Sequence, residues 1–177
     1  GYHQENGWYN AAYKIISTFA ISAILISRSF FPVLSRLSLA SKEKMQQIWS
    51  YQKEVMMIFA FPMMIGAWVL APKIIHFFYD ASYYPSINIF QWLAIVCFID
   101  FMYYPYGSLL VVFHREKLNF LFILIGLLIN IVLNIILIPT YMIFGAVVAN
   151  LISSLVVFAL AVVASMYVTP ISPLHSH

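Results

Sequence analysis

The most regular pattern in the chain is a pair of apolar runs over residues 126–154, GLLINIVLNIILIPTYMIFGAVVANLISS, with a break around Pro139. Small and amide-bearing residues recur every four positions on both sides of the break. They are Gly126, Asn130 and Asn134 before it, and Gly145, Ala149 and Ser153 after it. Four-residue spacing places each set on one helix face, and in lipid such faces allow close approach and hydrogen bonding between helices. The stretch predicts a tight helical hairpin, with Asn130 and Asn134 interpreted as packing amides rather than ligand contacts.

Three further apolar runs precede this hairpin, and each is long enough to cross a bilayer core, which takes about 20 residues. The five predicted helices cover residues 8–34, 51–70, 86–113, 118–138 and 142–168. The polar connection SRLSLASKEKMQQIWSYQKE predicts a short amphipathic surface segment. The stretch APKIIHFFYDASYYPS predicts a re-entrant or interfacial turn. Continuous apolar runs do not fit the alternating strands of a transmembrane β-barrel.

Composition assigns the broad class. Of the 177 residues, 63% are hydrophobic and 8% are charged, whereas a soluble domain carries about 25% charged residues. The sequence therefore predicts an all-α integral membrane protein with about five transmembrane helices. The first residue is Gly1 and no signal-peptide pattern is visible, so we expect a fragment or a processed chain. The single cysteine, Cys97, excludes an internal disulfide and a cysteine-based metal cluster.

Basic residues are unevenly distributed among the predicted connections. One side of the membrane holds six of them, and the other side holds only Lys73. The six are Arg36, Lys42, Lys44 and Lys53 between the first two helices, and Arg115 and Lys117 between the third and fourth. Lys and Arg collect on the cytoplasmic side of membrane proteins. We therefore predict a multi-pass protein with a cytoplasmic C-terminus, and the small net charge, confined to loops, argues against a nucleic-acid partner.

The sequence offers no pattern typical of an enzyme or a metal centre. It contains no Gly-rich phosphate loop with a following Lys-Ser/Thr, and no His-Glu-x-x-His. A weak metal site at His175 and His177 is conceivable, but a flexible tail is the favoured interpretation. We expect no enzymatic activity, no cofactor and no bound metal.

Ionisable residues inside the apolar runs are the candidate functional groups. A charge at the bilayer centre costs about 2.5–3.5 kcal/mol on insertion scales, so such residues usually face a bundle interior or a water-filled cavity. At 1.5 Å per residue, Asp100 lies ~21 Å from the outer end of its helix, Arg28 ~28 Å and Lys14 ~8 Å. Asp100 is therefore closer in depth to Arg28 than to Lys14, and we expect an ion pair between Asp100 and Arg28.

Three interpretations of these charges stay open. The pair simply holds two helices together, or one member titrates or binds a cation during transport, or Arg28 snorkels to the cytoplasmic interface on its long stem. Lys14 is equally compatible with snorkelling outward beside Tyr13. Tyr103, Tyr104 and Tyr106 near Pro105 either line a cavity or form part of an aromatic belt.

The hairpin resembles the C-terminal signature of the polysaccharide-biosynthesis flippases, whose superfamily also holds multidrug exporters and the lipid II flippase. That signature joins an Asn-x-x-x-Asn face to Leu-Ile-Pro and then to Gly-Ala-Ala-x-Ala-Thr. The chain has the two asparagines, Leu-Ile-Pro at 137–139 and GAVVAN at 145–150, and it departs at Met142, where glycine is usual, at Val147 and at Asn150. GWYNAAYKI resembles the opening of the family's eighth helix, and FAFPMMIGAWVLAPKIIHFFYDASYYPSINIFQWLA resembles its ninth and tenth helices.

The resemblance implies that residues 1–177 form the C-terminal lobe, helices eight to twelve, of a twelve-helix MATE-like transporter whose N-terminal lobe is absent here. Such a protein moves undecaprenyl-pyrophosphate-linked oligosaccharide, an O-antigen, capsule or exopolysaccharide repeat unit, to the outer leaflet of the bacterial inner membrane by alternating access. An ion gradient is a candidate energy source. Implied partners are the lipid-linked oligosaccharide, the lipid bilayer, and polysaccharide polymerase and assembly proteins.

The resemblance also suggests residue roles. Lys14 stands where the family often has a basic residue facing the cavity, so Lys14 and Arg28 are the expected cavity cations for a pyrophosphate. Asp100 is the expected coupling or ion-pair carboxylate. Two alternative functions are a multidrug/cation antiporter of the same fold and a non-transporting membrane scaffold. Two embedded bases against one embedded acid favour an anionic substrate.

Overall fold

A computed structural model describes residues 2–168, with side chains described over 7–167. Within this part the chain folds into five helices and one short 3₁₀ turn, Ala81–Tyr83. The helices are α1 (Tyr2–Ala40), α2 (Lys42–Phe78), α3 (Ser86–Val112), α4 (Glu116–Tyr141) and α5 (Ile143–Val168). All five are long and apolar enough to cross a membrane, which confirms the predicted all-α membrane fold. The predictions for the C-terminus, His175 and His177 lie outside the described residues.

The polar connection between the first two helices is helical instead of a separate surface segment. The helix α1 continues to Ala40 and α2 begins at Lys42, so Ser41 alone separates them. Ser41 caps α2, because its hydroxyl accepts a hydrogen bond from the Lys44 N–H at 3.4 Å and donates one to the Glu43 carboxylate at 3.1 Å. An N-cap serine stabilises a new helix start, so a single residue suffices to redirect the chain.

The predicted re-entrant turn is also largely helical, since α2 runs through Pro72 to Phe78. Proline has no N–H and so leaves the carbonyl four residues earlier without its helical donor. Here that carbonyl belongs to Trp68, and the Gln91 side chain on α3 donates to it at 2.9 Å. The amide replaces the missing hydrogen bond, and the helix continues.

The central helix of the bundle is α3. It packs against α1, α2 and α5, whereas α4 packs mainly against α5. The core between α1, α2 and α3 includes Ala12, Met56, Phe90 and Phe101. Cys97 is buried in the same cluster, as expected for a small packing residue.

Contacts at the two ends of the bundle establish that α1 and α3 run parallel. The indole N–H of Trp8 donates to the Ser82 carbonyl at 2.9 Å at one end. At the other end Leu34 packs with Leu109 in a second buried cluster. The offset in residue number is nearly the same at both ends, so Arg28 lies level with Met102 and Tyr103 on α3.

The predicted hairpin is confirmed by the close packing of α4 on α5. A Cβ atom on Gly145 would lie 2.6 Å from the backbone carbonyl carbon and oxygen of Leu137, so the two helices touch at this glycine. Gly126 similarly approaches the Val157 side chain. Met142 between the helices has φ 52°, in the left-handed region that favours glycine.

Candidate functional site

A cleft of about 390 Å³, lined by both apolar and polar side chains, opens between α3, α4 and α5, close to the middle of α3 and α4. Its polar lining, apart from Tyr103, consists of one carboxylate, one phenol, two amides and two hydroxyls. These belong to Asp100, Tyr104, Asn130, Asn150, Ser153 and Ser154. Polar side chains at this depth of a membrane bundle are costly unless they satisfy one another or meet water. The cleft is therefore the candidate functional site.

The Asp100 carboxyl group has a different partner from the predicted one. The Ser154 hydroxyl on α5 lies within hydrogen-bonding reach of it. Among the described residues no ion pair joins Asp100 to Arg28, which is exposed on α1 and interacts electrostatically with the Tyr104 phenol. Arg28 lies only about one helical turn further along the bundle than Asp100, so a similar depth does not by itself bring the two side chains together.

The two hairpin asparagines form a connected network. The Asn130 amide donates to the Ser153 hydroxyl at 3.1 Å, and the Asn134 amide donates to the Asn130 carbonyl oxygen at 2.9 Å. The Ser153 hydroxyl in turn donates to the Ala149 backbone carbonyl at 2.6 Å. The hydrogen bond from Asn130 joins α4 to α5, whereas the one from Asn134 lies within α4. Asn130 also lines the cleft and Asn134 does not.

Tyrosines hold the edges of the cleft in place. The Tyr103 hydroxyl donates to the Asn119 side-chain oxygen at 2.8 Å, which ties α3 to α4. The Tyr9 hydroxyl lies within hydrogen-bonding reach of Asn150, which ties α1 to α5. Tyr9 also stacks on Tyr13, with ring centroids 5.9 Å apart. These contacts position the amide and the rings before any ligand arrives.

The cations Lys14 and Arg28 lie outside the cleft, and both are exposed on α1. They are 14 positions apart, close to a whole number of helical turns, so they share one face of α1 at ~21 Å separation along its axis. Arg28 interacts electrostatically with the phenol of Tyr104, which lines the cleft. The structure therefore brings Asp100 and Asn130 together and places the two cations on a neighbouring surface.

Sequence reasoning missed Asn150 and Ser154 as cleft residues. They are four positions apart on α5, so they share a helix face, and this spacing was the available signal. This signal was weak, because the same helix carries a longer series with four-residue spacing, Gly145, Ala149 and Ser153, which indicated a different face. The link from Tyr9 to Asn150 joins residues far apart in sequence and had no local signal.

Five membrane-length helices, with α3 at their centre and polar side chains in a cleft at mid-depth, define a multi-pass membrane protein that presents polar groups within the bilayer. Residues 3–88 match the family described as polysaccharide biosynthesis protein. Over that segment the predicted resemblance is confirmed, and it supports a role in polysaccharide synthesis or export. The match includes Lys14 and Arg28, whereas Asp100 and the hairpin lie beyond it. Neither the curated proteins nor the solved structures provide a match to the chain.

Proposed function

We propose that the chain forms one lobe of a membrane transporter that flips an undecaprenyl-pyrophosphate-linked oligosaccharide from the cytoplasmic to the outer leaflet of the bacterial inner membrane. The family match over residues 3–88 supports the polysaccharide substrate class. The observation that carries the proposal is the exposed face of α1, where Lys14 and Arg28 lie along one side of a membrane-length helix.

Two cations on an exposed face need an environment other than hydrocarbon. The cost of a cation in contact with lipid tails is about 2.5–3.5 kcal/mol at the bilayer centre and smaller toward either interface, where Lys14 and Arg28 lie. A water-filled cavity bordered by this face removes that cost and brings the cations to an anionic group. At 4 Å and an effective dielectric constant of about 20, one such contact with a unit charge gains about 4 kcal/mol. A pyrophosphate therefore suits this face.

The spacing of the two cations gives them successive roles. A pyrophosphate is too short to touch both across ~21 Å. We take the end of the bundle that carries the basic connections to face the cytoplasm. Arg28 is nearer to that end, so an anion moving outward meets Arg28 first and Lys14 later. Alternating access then transfers the anion from one cation to the other, driven by an ion gradient or by the substrate's own gradient, without an enzymatic step.

Replacing each cation with alanine tests the proposal. In cells whose only copy is the full-length variant, Lys14→Ala and Arg28→Ala should each lower surface polysaccharide at least tenfold, because tenfold corresponds to about 1.4 kcal/mol of lost binding. Lys14→Arg, which keeps the charge, should retain export. Lys42→Ala at the start of α2 is the matched control. Normal export by both alanine variants at normal protein level would contradict the proposal.

A second candidate, a cation antiporter of the same fold, is favoured by one observation. The cleft combines the Asp100 carboxylate with the Tyr103 and Tyr104 rings, and an aromatic, acidic site attracts organic cations. Efflux of a lipophilic cation that Asp100→Asn abolishes, with surface polysaccharide unaffected, would establish this function. If Asp100→Asn lowers polysaccharide export at normal protein level, Asp100 is a coupling carboxylate, and if it lowers folded protein its role is structural.

A further inference from the structure

We infer that the cleft between α3, α4 and α5 binds uncharged sugar rings and leaves the phosphate groups to the exposed face of α1. This inference rests on the proposed function, because it assigns the two chemical halves of one lipid-linked oligosaccharide to two surfaces. It concerns binding alone, so it can fail or succeed separately from transport.

The lining of the cleft matches the hydrogen-bonding chemistry of a sugar. Every sugar hydroxyl both donates and accepts, so it pairs best with groups that do both. An amide offers two donor hydrogens and an acceptor oxygen, and a serine or tyrosine hydroxyl offers both functions. Asn150 and Ser154 supply such groups and the Asp100 carboxylate adds an acceptor, whereas Asn130 and Ser153 bond to each other and fix the neighbouring wall of the cleft. All of them converge on one space at the same depth.

The cleft also offers aromatic faces against which the apolar C–H side of a sugar ring can pack. Tyr103 and Tyr104 lie next to each other with ring centroids 5.9 Å apart and a 57° angle between the planes. The hydrogen bond from Tyr103 to Asn119 fixes one of these rings. The volume of about 390 Å³ lies near the lower end of small-molecule sites, so the cleft admits a short portion of an oligosaccharide.

A phosphate group does not suit the same lining. Among the described residues that line the cleft there is no Lys or Arg, and the one formal charge is the carboxylate of Asp100. A phosphate there would meet a like charge in surroundings of low dielectric, where repulsion is stronger than in water. The charge of the lining therefore selects against the anionic half of the substrate.

The two surfaces are close enough to serve one molecule. Tyr9 on α1 reaches Asn150 in the cleft and stacks on Tyr13, which is half exposed and directly precedes Lys14 in the sequence. Arg28 interacts electrostatically with the Tyr104 phenol of the cleft lining. An anionic group on the α1 face can therefore remain attached to sugar rings in the cleft.

The test uses two adjacent leucines of α4 as reporters. Leu127 lines the cleft and is 53% exposed, whereas Leu128 is 54% exposed and does not line it. In purified full-length protein carrying Cys97→Ala, the variants Leu127→Cys and Leu128→Cys are labelled with N-ethylmaleimide and the rates are compared. Ile123→Cys, which also lines the cleft and is 48% exposed, provides a second reporter if Leu127→Cys misfolds.

The probes are methyl glycosides of hexoses, 6-deoxyhexoses and N-acetylhexosamines, inorganic pyrophosphate, and tetraphenylphosphonium. At least one glycoside should slow labelling of Leu127→Cys threefold or more and leave Leu128→Cys unchanged. Tyr104→Ala should remove this protection and Tyr104→Phe should keep it. The inference is overturned if pyrophosphate or tetraphenylphosphonium protects the cleft cysteine, or if no glycoside does. If a glycoside slows labelling of the cleft cysteine but the protein has no flipping activity, the proposed function is wrong and the inference about the cleft stands.

Discussion

The contact between Gly145 and the end of α4 predicts a large effect from a very small substitution. In Gly145→Ala the new Cβ would lie 2.6 Å from the Leu137 carbonyl carbon and oxygen and 2.9 Å from the Ile138 nitrogen. These are backbone atoms of a helix, so they cannot rotate away as a flexible side chain would. Restoring an ordinary contact of 3.4 Å requires α5 to retreat from α4 by about 0.8 Å (3.4 − 2.6) at this point.

The cost of that retreat can be estimated from packing. A gap of 0.5–1 Å forfeits roughly a quarter to a half of each contact across the interface, and overpacking a tight site typically costs about 1–3 kcal/mol. Because backbone atoms form the obstacle, we expect Gly145→Ala to destabilise the protein by about 3 kcal/mol. Gly66 in α2 is the matched control, since its added Cβ meets nothing within 4 Å. Gly66→Ala should stabilise by about 0.5–1 kcal/mol.

The two variants are compared by thermal unfolding in detergent, at one protein concentration and one heating rate. Gly145→Ala should unfold well below the wild type, and Gly66→Ala at or slightly above it. Equal shifts for the two variants, or a Gly145→Ala protein as stable as the wild type, would refute the close approach of α4 and α5.

Three further predictions use the same unfolding assay. Met142→Gly should stabilise by about 1 kcal/mol, because it removes a left-handed non-glycine residue, whereas Met142→Ala should not. Gln91→Leu should destabilise by about 1–3 kcal/mol, because it leaves the Trp68 carbonyl without a hydrogen-bond donor and lipid supplies none. An unchanged midpoint temperature of unfolding would show that the carbonyl finds another partner. Trp49→Phe should cost about 1 kcal/mol, because the buried Pro105 carbonyl loses the indole N–H at 3.0 Å but keeps the Ser108 hydroxyl as a donor at 3.0 Å, and a neutral effect would contradict this.

The fold was predictable where the pattern is local. The spacing of Gly126, Asn130 and Gly145 indicates helix faces that must meet, and α4 and α5 pack through those residues. The extent of α1 and α2 was not predictable, because polar residues between them are compatible with either a loop or a helix. These residues are helical because Leu34 and Trp49 pack together in a buried core. Packing between two helices leaves no local pattern in the sequence.

The candidate site was predictable only in part. Asp100 is recognisable as an embedded carboxylate because ionisable residues are rare in apolar runs. Counting residues along a helix gives depth and not the face toward which a side chain projects, so the sequence did not identify Ser154 as a neighbour of Asp100. Ser154 supplies the contact because α5 packs directly on α3. Similarly, Pro72 alone predicts the end of a helix. The helix continues because Gln91 of another helix donates to the Trp68 carbonyl, and the sequence near Pro72 does not show this contact.

The contact of Asp100 with Ser154 has a consequence for how the protein is made. Translation produces α3 before α5, so the carboxylate leaves the ribosome long before its serine exists. An aspartate at a helix centre opposes insertion by about 2.5–3.5 kcal/mol, and α3 is less apolar than α4 or α5. Asp100 therefore gains its serine neighbour only after the hairpin has been made, so this contact between the central helix and α5 belongs to a late step of assembly.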